Sequence, residues 1–134
     1  GRAMTENEIA RVVVDAAYRI HVALGPGLLE SVYRVILKRE LQARGLDVGN
    51  EVDVPVVWDG VDVGVGFRAD LIVEGKVILE LKSVESVAAV HKKQLLTYLH
   101  LTDCRLGLLL NFGAALMKDG ITRVVNGLPE PSHP

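Results

Sequence analysis

The spacing of apolar residues changes at Gly45, and no other feature of the sequence constrains the fold as strongly. Before Gly45 the apolar residues recur every three or four positions, which is typical of one face of a helix. After it they alternate with other residues, from Val48 to Val56 and, beyond the turn Asp59-Gly60, from Val61 to Phe67. The chain therefore starts with helices and continues with antiparallel strands.

Two helices are predicted in the first third of the chain. Thr5 and Glu8 have the spacing of a capping box, in which each side chain binds the other residue's backbone N–H, and they predict a helix over 6–24. The segment Gly25-Pro26-Gly27 ends this helix, because proline and glycine favour a turn. A second helix is predicted from Leu28 to Arg44, with Gly45 as its C-cap.

The segments after Phe67 predict the remaining elements. The second strand continues through "ADLIV", the turn "EGK" leads into a third strand, "VILELK", and "AVHKKQLLTYLHL" has helical spacing. The segments "RLGLLLNF" and "ITRVV" predict two further strands. The predicted order is therefore α-α-β-β-β-α-β-β. Such an order suits a mixed central sheet flanked by helices, in the α/β or α+β class.

Length and composition indicate one domain. A chain of 134 residues, 49% of them hydrophobic, can build one core but not two. We expect this domain over residues 4–127, with an expression-tag remnant at 1–3 and a flexible tail at 128–134. No apolar run approaches the roughly 18 residues of a membrane span, and no secretory signal opens the chain. A cytoplasmic protein without membrane contact is expected.

Charge, cysteine content and glycine patterns argue against other classes. The net charge of −2 means that contact with nucleic acid would rest on a local patch rather than on a basic surface. The single cysteine, Cys104, can form neither an internal disulfide nor a structural zinc site. The segments "GPGLLE" and "GVGFRA" lack the strand-then-helix context of a dinucleotide fingerprint, so no nucleotide cofactor is expected.

Three charged residues interrupt the apolar hairpin over residues 67–84. If the turn "EGK" closes this hairpin, Asp70 lies opposite Glu80, and Glu80 and Lys82 share one face. Facing carboxylates repel each other, and a hard divalent cation such as Mg²⁺ would neutralise them. Lys82 would then act on an attacking water molecule. The alternative is a solvated strand face with a cross-strand ion pair, and the three residues taken alone do not decide between the two.

Glu30 is a second candidate acid. It shares a predicted helix face with Tyr33, Leu37 and Leu41, so it tends toward the packed side of the helix. An acid near that side needs a partner, and one interpretation is an additional metal or water ligand. The other interpretation is a carboxylate near the helix N-terminus that the macrodipole favours.

The predicted third helix carries polar residues at helical spacing. Gln94 and Tyr98 lie one turn apart, with His91 a turn earlier. The Gln94 amide would orient water or a phosphate, and Tyr98 would contact a substrate backbone. Lys92 and Lys93 form a basic cluster with His91 beside this proposed site. A core tyrosine, a solvated glutamine and an ordinary charged helix end are the alternatives.

Three motifs together resemble those of a known nuclease family. The segment "GLLESVY", Gly27 to Tyr33, matches the G-x-x-E-x-x-Y signature of the GxxExxY family, which is placed within the PD-(D/E)XK nuclease superfamily. Asp70 followed by Glu80-Leu81-Lys82 is similar to the core acids and E-x-K of that superfamily. The segment "QLLTY", Gln94 to Tyr98, resembles the Q-x-x-x-Y motif of RecB-like exonucleases. The resemblance spans about residues 6–125.

The resemblance implies a fold, an activity and a site. It implies a restriction-endonuclease-like core and a metal-dependent nuclease acting on nucleic acid, with DNA expected and RNA left open. Mg²⁺ or Mn²⁺ would be bound by Asp70, Glu80 and the backbone carbonyl of Leu81, with Glu30 as a further candidate ligand. The candidate catalytic residues are Asp70, Glu80, Lys82, Glu30 and Gln94, and the candidate substrate-binding residues are Tyr98, Lys92 and Lys93.

Two further questions stay open at the level of sequence. The resemblance allows a homodimer without requiring one. It is also compatible with a catalytically silent module that keeps the nuclease fold and binds nucleic acid or assembles with protein. Intact Asp70, Glu80 and Lys82 favour the enzyme.

Overall fold

The first helix starts at a capping box, as its sequence predicts. In the computed structural model, which describes residues 3–129, the Thr5 N–H donates to Glu8 Oε1 at 3.0 Å and the Glu8 N–H donates to Thr5 Oγ1 at 3.2 Å. These bonds satisfy N–H groups that have no partner within the helix. Helix α1 spans Glu6–Leu24, in agreement with the prediction.

Tyr33 holds the turn that follows α1. Its hydroxyl donates to the Gly25 carbonyl at 2.5 Å and accepts the Leu28 N–H at 3.2 Å. Its ring is fully buried and stacks on Phe112, with 4.4 Å between the ring centroids. A residue of the second helix therefore determines the path of the chain that leads into that helix.

Helix α2 spans Glu30–Ala43 and is shorter than predicted at both ends. It starts after Leu28 because the turn held by Tyr33 keeps the preceding residues out of the helix. At the other end Arg44 is the C-cap, and Gly45 follows it with a φ of 86°, in the left-handed region that favours glycine. Gly45 is therefore the residue after the C-cap rather than the predicted C-cap itself, and this is the usual position of glycine at the end of a helix.

The remaining elements follow the predicted order. The strands are β1 (Val48–Trp58), β2 (Val61–Val73), β3 (Val77–Lys82), β4 (Leu106–Asn111) and β5 (Ile121–Val125). Helix α3 spans Ala89–Thr102, between β3 and β4. The predicted fold class and element order are therefore confirmed. A 3₁₀ helix over Met117–Gly120 is absent from the sequence prediction, since a single turn has no apolar period to detect.

The five strands form one mixed sheet in the order β1-β2-β3-β4-β5. Neighbouring strands are antiparallel except β3 and β4, which are parallel and joined by α3 as a crossover. Helices α1 and α2 pack on one face of the sheet, and α3 packs on the other. This arrangement agrees with the restriction-endonuclease-like core that the resemblance implies.

Strand β2 changes its packing partner at Asp70. Ala69 lies in the core beneath α3, whereas Leu71 lies in the core beneath α1 and α2. Regular alternation would keep these two residues on one face of the sheet. The pairing of β1 with β2 skips Glu51 and Asp70 between two regular pairs, and Glu51 has a φ of 48°. This irregularity lets one strand contribute to both cores.

The expected chain ends lie partly outside the described residues. The tag remnant predicted at 1–3 and the tail predicted at 128–134 include residues 1, 2 and 130–134, which fall outside the range 3–129. The single domain over 4–127 stays a prediction. Cys104 is buried, and its thiol is free. Among residues 3–129, no helix is long and apolar enough to cross a membrane.

Tyr33→Phe is expected to lower the free energy of unfolding by about 1–3 kcal/mol. The substitution leaves the Gly25 carbonyl and the Leu28 N–H without their side-chain partner while keeping the ring stack. Urea denaturation measures the difference. Tyr18→Phe is the matched control, because Tyr18 is 38% exposed and its hydroxyl forms no hydrogen bond within residues 3–129. A Tyr33→Phe protein as stable as the wild type would show that the hydroxyl does not hold the turn.

Candidate active site

The ladder between β2 and β3 stops one residue short of Asp70. Its last pair joins Leu71 and Leu79. Beyond this pair the Leu81 N–H donates to Asp70 Oδ2 at 2.8 Å instead of to the backbone of β2. The Asp70 carboxylate therefore takes the place of a strand partner where the two strands part.

Glu80 lies beside Asp70 and is almost fully buried, with 9% of its surface exposed. Its carboxyl group is hydrogen-bonded to that of Asp70, while its Oε1 atom is buried and has no hydrogen-bond partner within residues 3–129. Burial, then the charge of Asp70, then the hydrogen bond between the acids raise the pKa of Glu80 to about 9, and Lys82 opposes this rise. At neutral pH Glu80 therefore keeps its proton.

Lys82 and Tyr98 border the two acids. Lys82 follows Glu80 on the same face of β3, is half-buried and forms no ion pair within the described range. Tyr98 on α3 stacks on Phe67 of β2, with 3.8 Å between the ring centroids. Partial burial and then the charges of Glu80 and Asp70 raise the pKa of Tyr98, so its hydroxyl lies within electrostatic range of both acids. We call Asp70, Glu80, Lys82 and Tyr98 the acid cluster.

The acid cluster suits a hard divalent cation. Such ions prefer oxygen ligands, and Mg²⁺ is usually held by one or two carboxylates and completed by water. A cation that replaced the Glu80 proton would leave Glu80 ionised and would give its buried Oε1 atom a partner. Within residues 3–129, no three Asp, Glu, His or Cys side chains form a group that could hold a metal ion. Asp70 and Glu80 thus form a two-carboxylate site without a third acid.

Glu30 is exposed, so the prediction that it tends toward the packed side of α2 is wrong. Tyr33 and Leu41 on the predicted face are buried, but Glu30 is the first residue of the helix, where it lines a surface depression with Ser83. Ser83 Oγ donates to the Leu28 carbonyl at 2.6 Å, which keeps the start of α2 beside the end of β3. The position of Glu30 agrees with the macrodipole interpretation.

Gln94, Lys92 and Lys93 are exposed on α3. The structure places them on the helix that carries Tyr98, and none of them forms a hydrogen bond or ion pair with Asp70 or Glu80 through its side chain. The structure therefore places these three residues on the same helix as Tyr98, without direct contact with the two acids.

Asn111 is a buried polar residue that the sequence analysis does not identify. Its Oδ1 accepts the N–H groups of Val84 at 3.1 Å and Gly113 at 3.0 Å, and its Nδ2 donates to the Val84 carbonyl at 2.9 Å. The Phe112 N–H in turn donates to the Lys82 carbonyl at 2.8 Å. These bonds fix the chain on both sides of Ser83. An amide that ends a run of buried leucines is the sequence signal that points to such a role.

Comparison with known families agrees with this geometry. A family model described as the PD-(D/E)XK nuclease superfamily matches residues 7–124, a range that contains the whole acid cluster. The chain belongs to the PD-(D/E)XK nuclease superfamily. Members of this superfamily are generally nucleases that use divalent metals. A search of curated proteins and a search of solved structures each gave no match.

The raised pKa of Glu80 predicts how the stability of this nuclease-superfamily chain depends on pH. The folded chain keeps the Glu80 proton up to about pH 9, whereas the unfolded chain releases it near its ordinary value of 4.5. The stabilising contribution is therefore fully present below pH 4.5 and is lost as the pH rises toward 9, by on the order of 1 kcal/mol per pH unit.

Glu80→Gln is expected to flatten this pH dependence and to be more stable than the wild type at pH 8. Glutamine cannot ionise, and its amide can still donate to Asp70. Urea denaturation in metal-free buffer at pH 5, 6.5 and 8 provides the comparison. Glu85→Gln, which changes an exposed acid, serves as the control and should keep the wild-type slope. Parallel slopes for wild type and Glu80→Gln would contradict the raised pKa.

Proposed function

We propose that this chain is a metal-dependent nuclease that hydrolyses phosphodiester bonds, with DNA as the expected substrate. The observation that carries the proposal is the buried Glu80 carboxyl group, which lies against the half-buried Asp70 beside Lys82 where β2 and β3 part. Such a pair destabilises a fold unless something neutralises it, and local rules of stability are usually broken at functional sites. Membership of the superfamily supports the same chemistry.

We also assign the chain to the GxxExxY group on the basis of Gly27, Glu30 and Tyr33. Two of these residues have a structural explanation. Gly27 has a φ of 106°, which favours glycine, and Tyr33 holds the turn next to it. Glu30 at the first turn of α2 is favoured by the macrodipole, which does not require a glutamate at this one position. Its exposure beside Ser83, near the end of β3, supports an additional functional role.

Asp70 and Glu80 would hold Mg²⁺ or Mn²⁺ together with the backbone carbonyl of Leu81. The N–H and C=O groups of one strand residue point toward the same neighbouring strand. Because the Leu81 N–H reaches Asp70, the Leu81 carbonyl is directed toward the same gap. When bound, a divalent cation polarises a phosphodiester and offsets the charge that develops during its hydrolysis.

Lys82 would act on the attacking water molecule and on the charged transition state. An ammonium group has three donors and no free acceptor, so Lys82 cannot itself be a metal ligand. It forms no ion pair within the described part of the chain and is half-buried, so its charge remains available to a reacting group.

Helix α3 would form the substrate side of the site. Tyr98 would contact the substrate backbone, and Gln94 would orient water or a phosphate. Lys92 and Lys93 are exposed and would supply the local positive charge that a chain of net charge −2 needs to bind a polyanion. All four residues belong to one helix, so a single docking interaction positions them together.

Lys82→Ala and Glu80→Ala are expected to separate catalysis from metal binding. Lys82→Ala should reduce cleavage at least about 100-fold while Mn²⁺ affinity is largely retained, because Lys82 acts on the reacting groups only. Glu80→Ala should lose both, because it removes a ligand. Calorimetric titration with Mn²⁺ and cleavage of labelled single- and double-stranded DNA and RNA provide the two measurements. Lys118→Ala, which changes an exposed lysine on the 3₁₀ helix, is the control.

Two outcomes would contradict this assignment. If Lys82→Ala cleaves as fast as the wild type, Lys82 is not catalytic. If the wild type binds nucleic acid but cleaves none of these substrates with Mg²⁺ or Mn²⁺, the chain is a nuclease-derived binding or assembly module.

Glu30→Gln tests whether the helix acid belongs to the site. We expect cleavage to fall at least about tenfold, in the range seen for residues that support a metal site from outside its ligand set. The free energy of unfolding should fall by no more than about 1 kcal/mol, the size of the lost macrodipole interaction. Glu85→Gln is again the exposed control. Unchanged cleavage would leave Glu30 as a helix-end charge only.

A further inference from the structure

A pocket opens between α1 and the edge of the sheet formed by β4 and β5. Its volume is about 480 Å³, within the range of roughly 300–1,000 Å³ that is typical of small-molecule sites. Ala10 and Val14 of α1, Leu108 of β4 and Ile121 of β5 supply its apolar walls. We call this space the α1–β5 pocket. Its walls suit the apolar part of a small ligand.

The α1–β5 pocket lies on the sheet face opposite the acid cluster. Leu108 belongs to the core beneath α1 and α2, whereas Leu109, the next residue of β4, belongs to the core beneath α3. Leu109 pairs with Glu80, and paired residues of neighbouring strands point to the same face of a sheet. A molecule in this pocket would leave the acid cluster free, so its binding does not depend on the proposed nuclease chemistry.

Arg123 of β5 lines the pocket with a positive charge that no acid neutralises. Its side chain is half-buried, and its one hydrogen bond within residues 3–129 runs from Nη2 to the neutral Oδ1 atom of Asn7, at 2.7 Å. A guanidinium group has five N–H donors. Its Nε atom is buried and has no partner in this part of the chain, which is rare for a donor in a folded protein. The described residues therefore leave most of the binding capacity of Arg123 unused.

A second arginine and one acid also line the pocket. Arg11 of α1 is exposed and forms no ion pair within the described range. Asp15 already has a cation, because its Oδ2 atom accepts a hydrogen bond from Arg44 Nη1 at 2.7 Å. The pocket thus combines apolar walls with two arginines that no acid pairs with. This combination favours an anion, since charge-assisted hydrogen bonds are stronger than neutral ones.

The charges at the pocket favour an anion with a single negative charge. A phosphate monoester carries about −1.5 to −2 charges at pH 7, and the Asp15 carboxylate would repel it more strongly than it repels a carboxylate. A carboxylate also matches the planar fork of an arginine, because its two oxygens can accept two parallel N–H bonds. A carboxylate is therefore the charged group that these side chains suit best.

We propose that the α1–β5 pocket binds a small organic carboxylate that carries an apolar chain. The carboxylate would contact Arg123, and the exposed Arg11 would add to the attraction. The chain would pack against the apolar walls. Such a ligand would neutralise a half-buried charge and would remove apolar surface from water in the same step.

Octanoate is the probe for this site, because it joins a carboxylate to an unbranched apolar chain. Isothermal titration of the wild-type chain at pH 7 should show one octanoate bound per chain. Octylamine and octanol should each bind at least about tenfold more weakly, because neither forms a charge-assisted bond with an arginine. Octyl phosphate tests the competing headgroup and should also bind more weakly than octanoate.

Arginine substitutions locate the bound octanoate. Arg123→Met should weaken octanoate at least about tenfold and should remove its preference over octanol, because only the charged contact is lost. Arg11→Gln should have a smaller effect, since Arg11 is exposed. Arg105→Met is the matched control: Arg105 is exposed, lies outside the pocket and donates from Nη2 to the Gly127 carbonyl at 2.8 Å. It should leave octanoate affinity unchanged.

Urea denaturation separates a binding arginine from a structural one. Arg123→Met removes a half-buried charge that has no acidic partner, so its denaturation midpoint should equal or exceed that of the wild type. A lower midpoint together with unchanged octanoate affinity would make Arg123 a structural residue and would contradict the proposal.

Four further outcomes would overturn the proposal. Octanoate may not be bound by the wild type at all, which would exclude the site. Octylamine or octanol may bind as tightly as octanoate, which would leave an apolar groove without preference for anions. Tighter binding of octyl phosphate would refute the carboxylate assignment. Octanoate affinity that neither Arg123→Met nor Arg11→Gln changes would place the bound molecule elsewhere on the chain.

Discussion

The hydrogen bond from the Leu81 N–H to Asp70 Oδ2 is the constraint on which the candidate site depends. A backbone ladder between β2 and β3 at this point would satisfy the Leu81 N–H without any acid. Because the Asp70 side chain satisfies it instead, the strands part after the pair of Leu71 and Leu79. The opening keeps the Asp70 carboxylate beside Glu80, and it directs the carbonyl of Leu81 toward the same gap.

Several side-chain contacts hold the chain in place around the gap between β2 and β3. Phe67 stacks on Tyr98, whose hydroxyl lies within electrostatic range of both acids, and the skipped pair of Glu51 and Asp70 lets β2 turn from one core to the other. Asn111 fixes the chain after Lys82 through two hydrogen bonds with the backbone of Val84. A buried acid next to a second carboxylate is unfavourable in any fold. Here the well-packed cores on both faces of the sheet provide the stability that keeps them there.

Much of the site follows from residue alternation along two strands. Alternation places Glu80 and Lys82 on one face of β3, and the turn before Val77 sets Asp70 near Glu80, as the sequence predicts. Glu30 shows where this reasoning fails. Its helix face is predicted correctly through Tyr33, but a face says nothing about where along a helix the packing ends. Asn111 is missed for a different reason, because its partners lie on a loop that no periodic pattern describes.

Local interactions determined the elements of this protein from sequence alone. The capping box at Thr5, the turn Asp59-Gly60 and the change of apolar period after Gly45 each act within a few residues, so the sequence order reveals them directly. Only the tertiary structure decided the raised pKa of Glu80, the role of Tyr33 in the turn before α2 and the exposure of Trp58 at the end of β1. Those properties depend on burial and on charges brought together from distant parts of the chain, and neither quantity is encoded in any short segment.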